Sequence, residues 1–235
     1  MSSAADLQPC DKVANAELKI YPYPHFFVQD VFSPEYYAQI QAMLPEPSDM
    51  RPIGEVRPVV GYPERFVLNF KGPQFQSLPP HKQAFWRDLH KWLVGGRFCH
   101  VVMSKFGHYM TERFGAGPVS LRDEALLVQD ITNYKLGPHT DTLRKVITLL
   151  FYLPKDTSQA HLGTSIYLPK DPAFRCPGGP HHPHENFERL ETMPFLPNSL
   201  FAFFKTDNSF HGVEPVADPD TRRWLLLYDL YDTYE

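Results

Sequence analysis

Between residue 125 and the C-terminus the sequence carries five short runs rich in β-branched and aromatic residues: ALLVQDITNY, KVITLLFYL, GTSIYL, SLFAFFK and RWLLLYDLY. Each is bounded by Pro, Gly, Asp or Asn. Apolar runs of this length and composition, closed by turn residues, read as strands rather than helices. Residues 146–153 are apolar almost without a break, so the strand they predict needs cover on both faces, as in a sandwich or jelly roll flanked by helices. The expected fold is mainly β with supporting helices, a sandwich or a jelly roll.

Helical periodicity is confined to the first half. Ser33 and Pro34 place an N-cap and a first-turn proline before EYYAQIQAML, a helix that ends at Pro45. Residues 80–114, including HKQAFWRDLHKWL, repeat with a helical period. About 18 polar residues precede a first strand in YPYPHFFVQDVF, and residues 50–76, with prolines at 52, 58, 63 and 73, read as extended, loop-rich chain. With 235 residues, 43% of them hydrophobic, there are enough apolar side chains for one core. The expectation is one domain over 1–235, with helical support over about 30–115 and a jelly-roll core over about 125–232.

Several function classes are disfavoured. The formal net charge is -4 and the Lys and Arg residues are scattered, which offers no field for a phosphate backbone. Three cysteines, Cys10, Cys99 and Cys176, are too few and too far apart for a disulfide framework, which points to the cytoplasm. No apolar run approaches the length of a membrane span, and the N-terminus lacks an export signal. There is no P-loop, no G-x-G-x-x-G and no G-x-S-x-G, so nucleotide and acyl-enzyme chemistry have no support.

Metal chemistry does have support. His139 and Asp141 lie two apart just before the run that starts near Val146, and in extended chain such residues point to one face. His211 follows the run SLFAFFK. Two neutral imidazoles and one carboxylate can bind one face of an ion and leave three positions open, the arrangement of non-haem Fe(II) oxygenases. Arg222, eleven positions after His211, and Arg223 beside it open the last strand; a guanidinium there could hold a carboxylate through two parallel hydrogen bonds. Cys176, His181, His182 and His184 share a stretch rich in Pro and Gly, which reads as a mobile surface loop rather than a second metal site.

The segments NYKLGPHTD, VITLLFYLP, LGTSIY, LPNSLFAFFKTDNSFHGVEPV and TRRWLLLYD together resemble the 2-oxoglutarate and Fe(II)-dependent dioxygenase superfamily over roughly residues 126–230. YPYPHFFVQDVFSPEYYAQIQAMLP resembles the opening of its prolyl-hydroxylase-like members. The resemblance implies a double-stranded β-helix, iron at His139, Asp141 and His211, the distal carboxylate of 2-oxoglutarate at Arg222, and Tyr134 reaching the co-substrate. Arg222 is preferred to Arg223 because its offset from His211 matches many family members. The resemblance further implies Fe(II), 2-oxoglutarate and O2 as requirements, ascorbate as a stimulant, and hydroxylation of an unactivated C–H bond with release of succinate and CO2. Retention of Asp141 disfavours the halogenase variants. Two long Pro-rich stretches, 50–76 and 155–195, carry Arg51, Arg57, Arg65, Asn69, Lys71 and Arg175 and suit a polar small molecule or a peptide as substrate. The competing expectation is a cupin-like jelly-roll metal-binding module without oxygenase activity.

Overall fold

The computed structural model describes residues 3–57, 61–94 and 96–233, with side chains from residue 8 onward; Pro58 of the proline-rich segment lies outside the described residues. Among the described residues, eleven strands form two antiparallel sheets. The larger contains β1 (His25–Gln29), β9 (Ser199–Phe204), β6 (Lys145–Tyr152), β11 (Arg222–Asp232), β4 (Leu121–Ile131), β3 (Arg65–Asn69) and β2 (Arg51–Pro52), in that spatial order. The smaller runs β5 (Leu136–His139), β10 (His211–Val213), β7 (Thr164–Pro169) and β8 (Phe187–Met193). Two facing antiparallel sheets whose neighbours are distant in sequence make a jelly roll.

Helices cover the outer face of the larger sheet. Besides α1 (Ser3–Asn15), α2 (Pro34–Ala42), α3 (Ile53–Val56) and α4 (Pro73–Gln76), three run consecutively: α5 (Pro80–Val94), α6 (Gly96–Lys105) and α7 (Gly107–Phe114). Ser33 caps α2 as expected, its side chain accepting from Tyr36 N at 3.2 Å. The sheet therefore has two apolar faces. Trp86, Leu89, Phe98 and Phe106 from the helices pack with Leu127, Ile147, Leu149, Phe151, Leu226 and Tyr228. Leu126, Val128, Leu150, Phe201, Phe203 and Leu225 face the smaller sheet. Every residue of β6 is buried, the two-sided cover its sequence requires.

Two differences from expectation have simple causes. The first 18 residues include α1, which packs on α6 and buries Cys10 and Val13; so few apolar positions give no visible period without the partner helix. The segment 50–76 contributes β2 and β3, and Arg65–Asn69 pairs with residues 126–130 of β4. Its prolines lie outside β3, where they cost no ladder hydrogen bond. No helix among the described residues is long and apolar enough to cross a membrane.

Candidate metal centre and its cavity

β5 and β10 are antiparallel neighbours with His139 directly opposite His211, and the two imidazole centroids are 4.4 Å apart. The strands approach closely because residue 212 is glycine: a Cβ there would lie 2.3 Å from Leu136 O. Asp141 follows His139 by two residues. One ligand atom from each of His139, Asp141 and His211 can be chosen so that all lie within 4.8 Å of one another, and all three residues are buried.

The hydrogen bonds fix which atoms are presented. His139 Nδ1 donates to Gly137 O at 3.0 Å and His211 Nδ1 donates to Ser209 O at 2.9 Å. A carbonyl can only accept, so each ring carries its proton on Nδ1 and leaves the Nε2 lone pair for a cation. Burial, then the neighbouring His211, lowers the pKa of His139 well below the ordinary imidazole value; burial likewise lowers His211. Both are neutral at physiological pH, as ligation requires. Burial opposes the charge on Asp141, but Lys145 and the two imidazoles more than offset it and hold the carboxyl well below the usual carboxylate range. Asp141 Oδ2 accepts from Thr148 Oγ1 at 2.8 Å, and Oδ1 stands 3.0 Å from Lys145 Nζ.

These groups line a cavity of about 470 Å³, within the usual range for small-molecule sites. Its buried part is formed by Thr164, Leu150, Leu225 and Arg223, and its more exposed part by Arg57, Tyr62, Thr142 and His181. Arg223 is 1% exposed; its Nη1 donates to Asp130 Oδ2 at 2.7 Å and its Nε to Leu162 O at 2.6 Å. Arg65 grips the same carboxylate with two bonds, Nε to Oδ1 at 2.7 Å and Nη2 to Oδ2 at 3.0 Å. Burial disfavours the Arg65 charge, yet Asp130 beside it raises its pKa above the ordinary guanidinium value. Two guanidiniums, Arg223 buried and Arg65 largely so, thus share one carboxylate, and the three groups together carry one net positive charge.

Of the two neighbouring arginines, the fold turns Arg223 rather than Arg222 toward the cavity. Arg222 is exposed and its Nη1 donates to Thr221 O, while Arg223 lines the cavity. The offset from His211 counts residues along the chain, whereas facing is set by strand register, in which a shift of one residue reverses every side chain. Arg223, Leu225, Leu227 and Tyr231 line the cavity, and Leu226, Tyr228 and Leu230 meet the helices. Asp229 shares parity with Arg223, and both are buried on the cavity side of β11. Tyr134 is fully buried behind the cavity, with the Arg65 guanidinium 4.4 Å from its ring centroid and its hydroxyl without a hydrogen-bond partner.

The Pro- and Gly-rich stretch is tied down rather than loose. His182 N donates to Pro138 O at 2.8 Å and Thr140 Oγ1 to Cys176 O at 2.8 Å, so residues 176–182 are strapped across the loop that holds His139 and Asp141. The strap sets the His181 ring 4.4 Å from that of His139 and against Tyr62, whose hydroxyl is 2.6 Å from His181 Nδ1. His181 stood out in the sequence only as part of the Cys- and His-containing stretch, and Tyr62 gave no motif by which sequence reasoning could have found it. Among the candidate polar residues of the long segments, Arg57 and Arg65 line the cavity and Arg51, Asn69, Lys71 and Arg175 do not.

No protein-family model and no curated protein matches the sequence. Solved structures match the fold at low identity. An oxidoreductase of the 2OG-Fe(II) oxygenase family from Burkholderia pseudomallei aligns over 88% of this chain and 84% of its own, at 11% identity and a TM-score of 0.51. A prolyl-4-hydroxylase from Pseudomonas putida aligns over 97% of this chain and 98% of its own, at 11% identity and 0.51. The non-haem α-ketoglutarate-dependent epimerase SnoN from nogalamycin biosynthesis aligns over 97% of this chain and 81% of its own, at 12% identity and 0.55; it has also been solved with Fe3+ and α-ketoglutarate, another name for 2-oxoglutarate. The fold of this chain is the jelly roll of the 2-oxoglutarate and Fe(II)-dependent oxygenases.

Proposed function

We propose that the chain, having that fold and a buried His-Asp-His set, is a 2-oxoglutarate and Fe(II)-dependent oxygenase that hydroxylates a C–H bond of a polar small molecule or peptide. One observation carries this beyond the likeness in fold: the surplus positive charge of Arg223 and Arg65 over Asp130 lines the same cavity as His139, Asp141 and His211. A jelly roll that merely stored a metal would gain nothing from burying an uncompensated guanidinium, because unpaired buried charge is costly.

The donor set fits iron. Two neutral imidazoles with free Nε2 atoms and one ionised carboxylate match the ligand preference of non-haem Fe(II) and leave positions for co-substrate and oxygen. Fe(II) held there with 2-oxoglutarate would activate O2 as the oxidant, one oxygen atom going to succinate as CO2 leaves and the other to the substrate. The chain's own residues would do the rest. Arg223 would hold the distal carboxylate of the co-substrate, in the role first expected of Arg222, with Asp130 and Leu162 O fixing the guanidinium's orientation. Thr164 Oγ1 accepts from the Tyr152 hydroxyl at 2.8 Å, which leaves its own proton to donate into the cavity. Tyr134, close to Arg65, has a hydroxyl to offer the same ligand after a small shift. Arg57, Tyr62, Tyr231 and His181 at the outer part would meet the substrate with hydrogen-bonding groups. A cytoplasmic location fits the few, widely spaced cysteines.

The test is anaerobic titration of the Fe(II)-loaded protein with 2-oxoglutarate. A visible charge-transfer band that saturates at one equivalent is expected, and admission of O2 should then release succinate when the substrate is present in a screen of metabolites and peptides. Iron bound tightly with no band at any 2-oxoglutarate concentration would refute the co-substrate assignment.

A further inference from the structure

Directly beside the metal-ligand set lie three charges in a row. Lys145, first residue of β6, is 8% exposed, and its Nζ stands 3.0 Å from Asp141 Oδ1 and 3.0 Å from Asp229 Oδ2. Asp229 is fully buried and its Oδ1 has no hydrogen-bond partner. Burial raises the Asp229 carboxyl above its ordinary value even with Lys145 opposing it. Desolvating such charges costs about as much as their attraction returns, so a buried ionic triad is a poor device for stability alone. An unsatisfied buried oxygen also calls for a reason.

The two oxygens of Asp141 have different surroundings. Oδ1 is engaged by the ammonium, while Oδ2 stands 3.9 Å from His211 Nε2 and accepts from Thr148. A carboxylate can bind a cation through one oxygen or both. Binding through both would fill one of the three positions that the His-Asp-His set leaves open.

We propose that Lys145 is a positioning residue that holds Oδ1 of Asp141 away from the metal, so that the carboxylate offers Oδ2 alone, while Asp229 offsets the charge by which the ammonium would repel the cation. The inference rests on the metal-holding half of the reading above and is independent of the co-substrate. It also accounts for the cost of Asp229: without that acid, a bare positive charge would stand next to the ligand of a divalent ion.

Mn(II) alone serves as the probe, because water-proton relaxation counts the exchangeable waters it keeps. The charge-balanced pair Lys145→Met and Asp229→Asn removes the ammonium and its counter-charge together, at nearly constant volume, so the net charge of the three groups is unchanged and Asp141 is left to Thr148 and the bound cation. This pair should lower the relaxation enhancement per bound Mn(II) by about one-third, one water in three. Asp229→Asn by itself, with Lys145 still on Asp141, should keep the wild-type enhancement but bind Mn(II) about tenfold or more weakly, because the ammonium then draws its counter-charge from the metal ligand Asp141 alone. An unchanged enhancement in the pair, or unchanged affinity in Asp229→Asn, would overturn the proposal while leaving the metal site standing. Failure of wild type to bind Mn(II) would overturn the metal reading and this inference with it.

Discussion

Replacing Arg223 by Met removes the surplus positive charge that Arg223 and Arg65 hold over Asp130 at the cavity wall, while roughly keeping the side-chain volume. Asp130 does not become an orphan, since Arg65 retains both of its bonds to that carboxylate. The lost partners are one bond to Asp130 and one to Leu162 O, which should lower stability by about 2 to 4 kcal/mol. The effect on a bound dicarboxylate is separable from that. Wild type presents two guanidiniums against one carboxylate; the variant presents one against one and has nothing left for the distal end of 2-oxoglutarate. Loss of a buried charged contact costs about 2 to 5 kcal/mol, or roughly 30-fold to several-thousand-fold in affinity. Calorimetric titration of the Mn(II)-loaded protein with 2-oxoglutarate measures it directly. Arg222→Met, which removes an exposed side chain, should stay within about threefold of wild type. Mn(II) affinity should be unchanged in both. A larger loss for Arg222 than for Arg223 would refute the role assigned from burial and register, and near-wild-type binding by both would refute the anchor itself.

Removing a ligand should be decisive: His139→Ala, Asp141→Ala and His211→Ala are each expected to abolish high-affinity Fe(II) binding and turnover, checked by calorimetry and succinate release. Gly212→Ala puts a methyl group 2.3 Å from Leu136 O, so β5 and β10 must separate; metal affinity should fall at least about tenfold and the melting temperature should drop, both measurable on the purified variant. The metal-free protein should lose stability as pH falls below about 6.5. Burial lowers the pKa of His25, His139, His181 and His211, so the unfolded chain takes up protons near 6.5 that the fold refuses. Each such imidazole contributes about 1.4 kcal/mol per pH unit until its own folded value is reached. Urea midpoints that do not move between about pH 7 and 5.5 would contradict this.

Local pattern was enough to read the main strands of the core and to nominate the ligands. Runs such as 146–153 have too few polar residues to lie on a surface, so two covered faces and a layered β fold follow from hydrophobicity and period alone. His139 and Asp141 share a face because they are two apart in extended chain, a rule that needs no partner strand. That His211 completes the set depends on β10 pairing with β5, some 70 residues away in the chain, and its residue type and following position by themselves made it a candidate only. The choice between Arg222 and Arg223 lay beyond pattern because both faces of β11 are apolar: helices cover one and the smaller sheet covers the other. Only packing showed which side was which. The same holds for Arg65, which β3 carries to Asp130 across a strand pair the prolines had obscured, for His181, which a strap with no motif brings to His139, and for Lys145, whose two acids lie on opposite sides of it, one four residues away and the other 84. Local sequence determines which residue types face the same way along one element. Which elements meet, and so which charges end up buried together with too few partners, is settled by long-range contacts that only the folded chain makes.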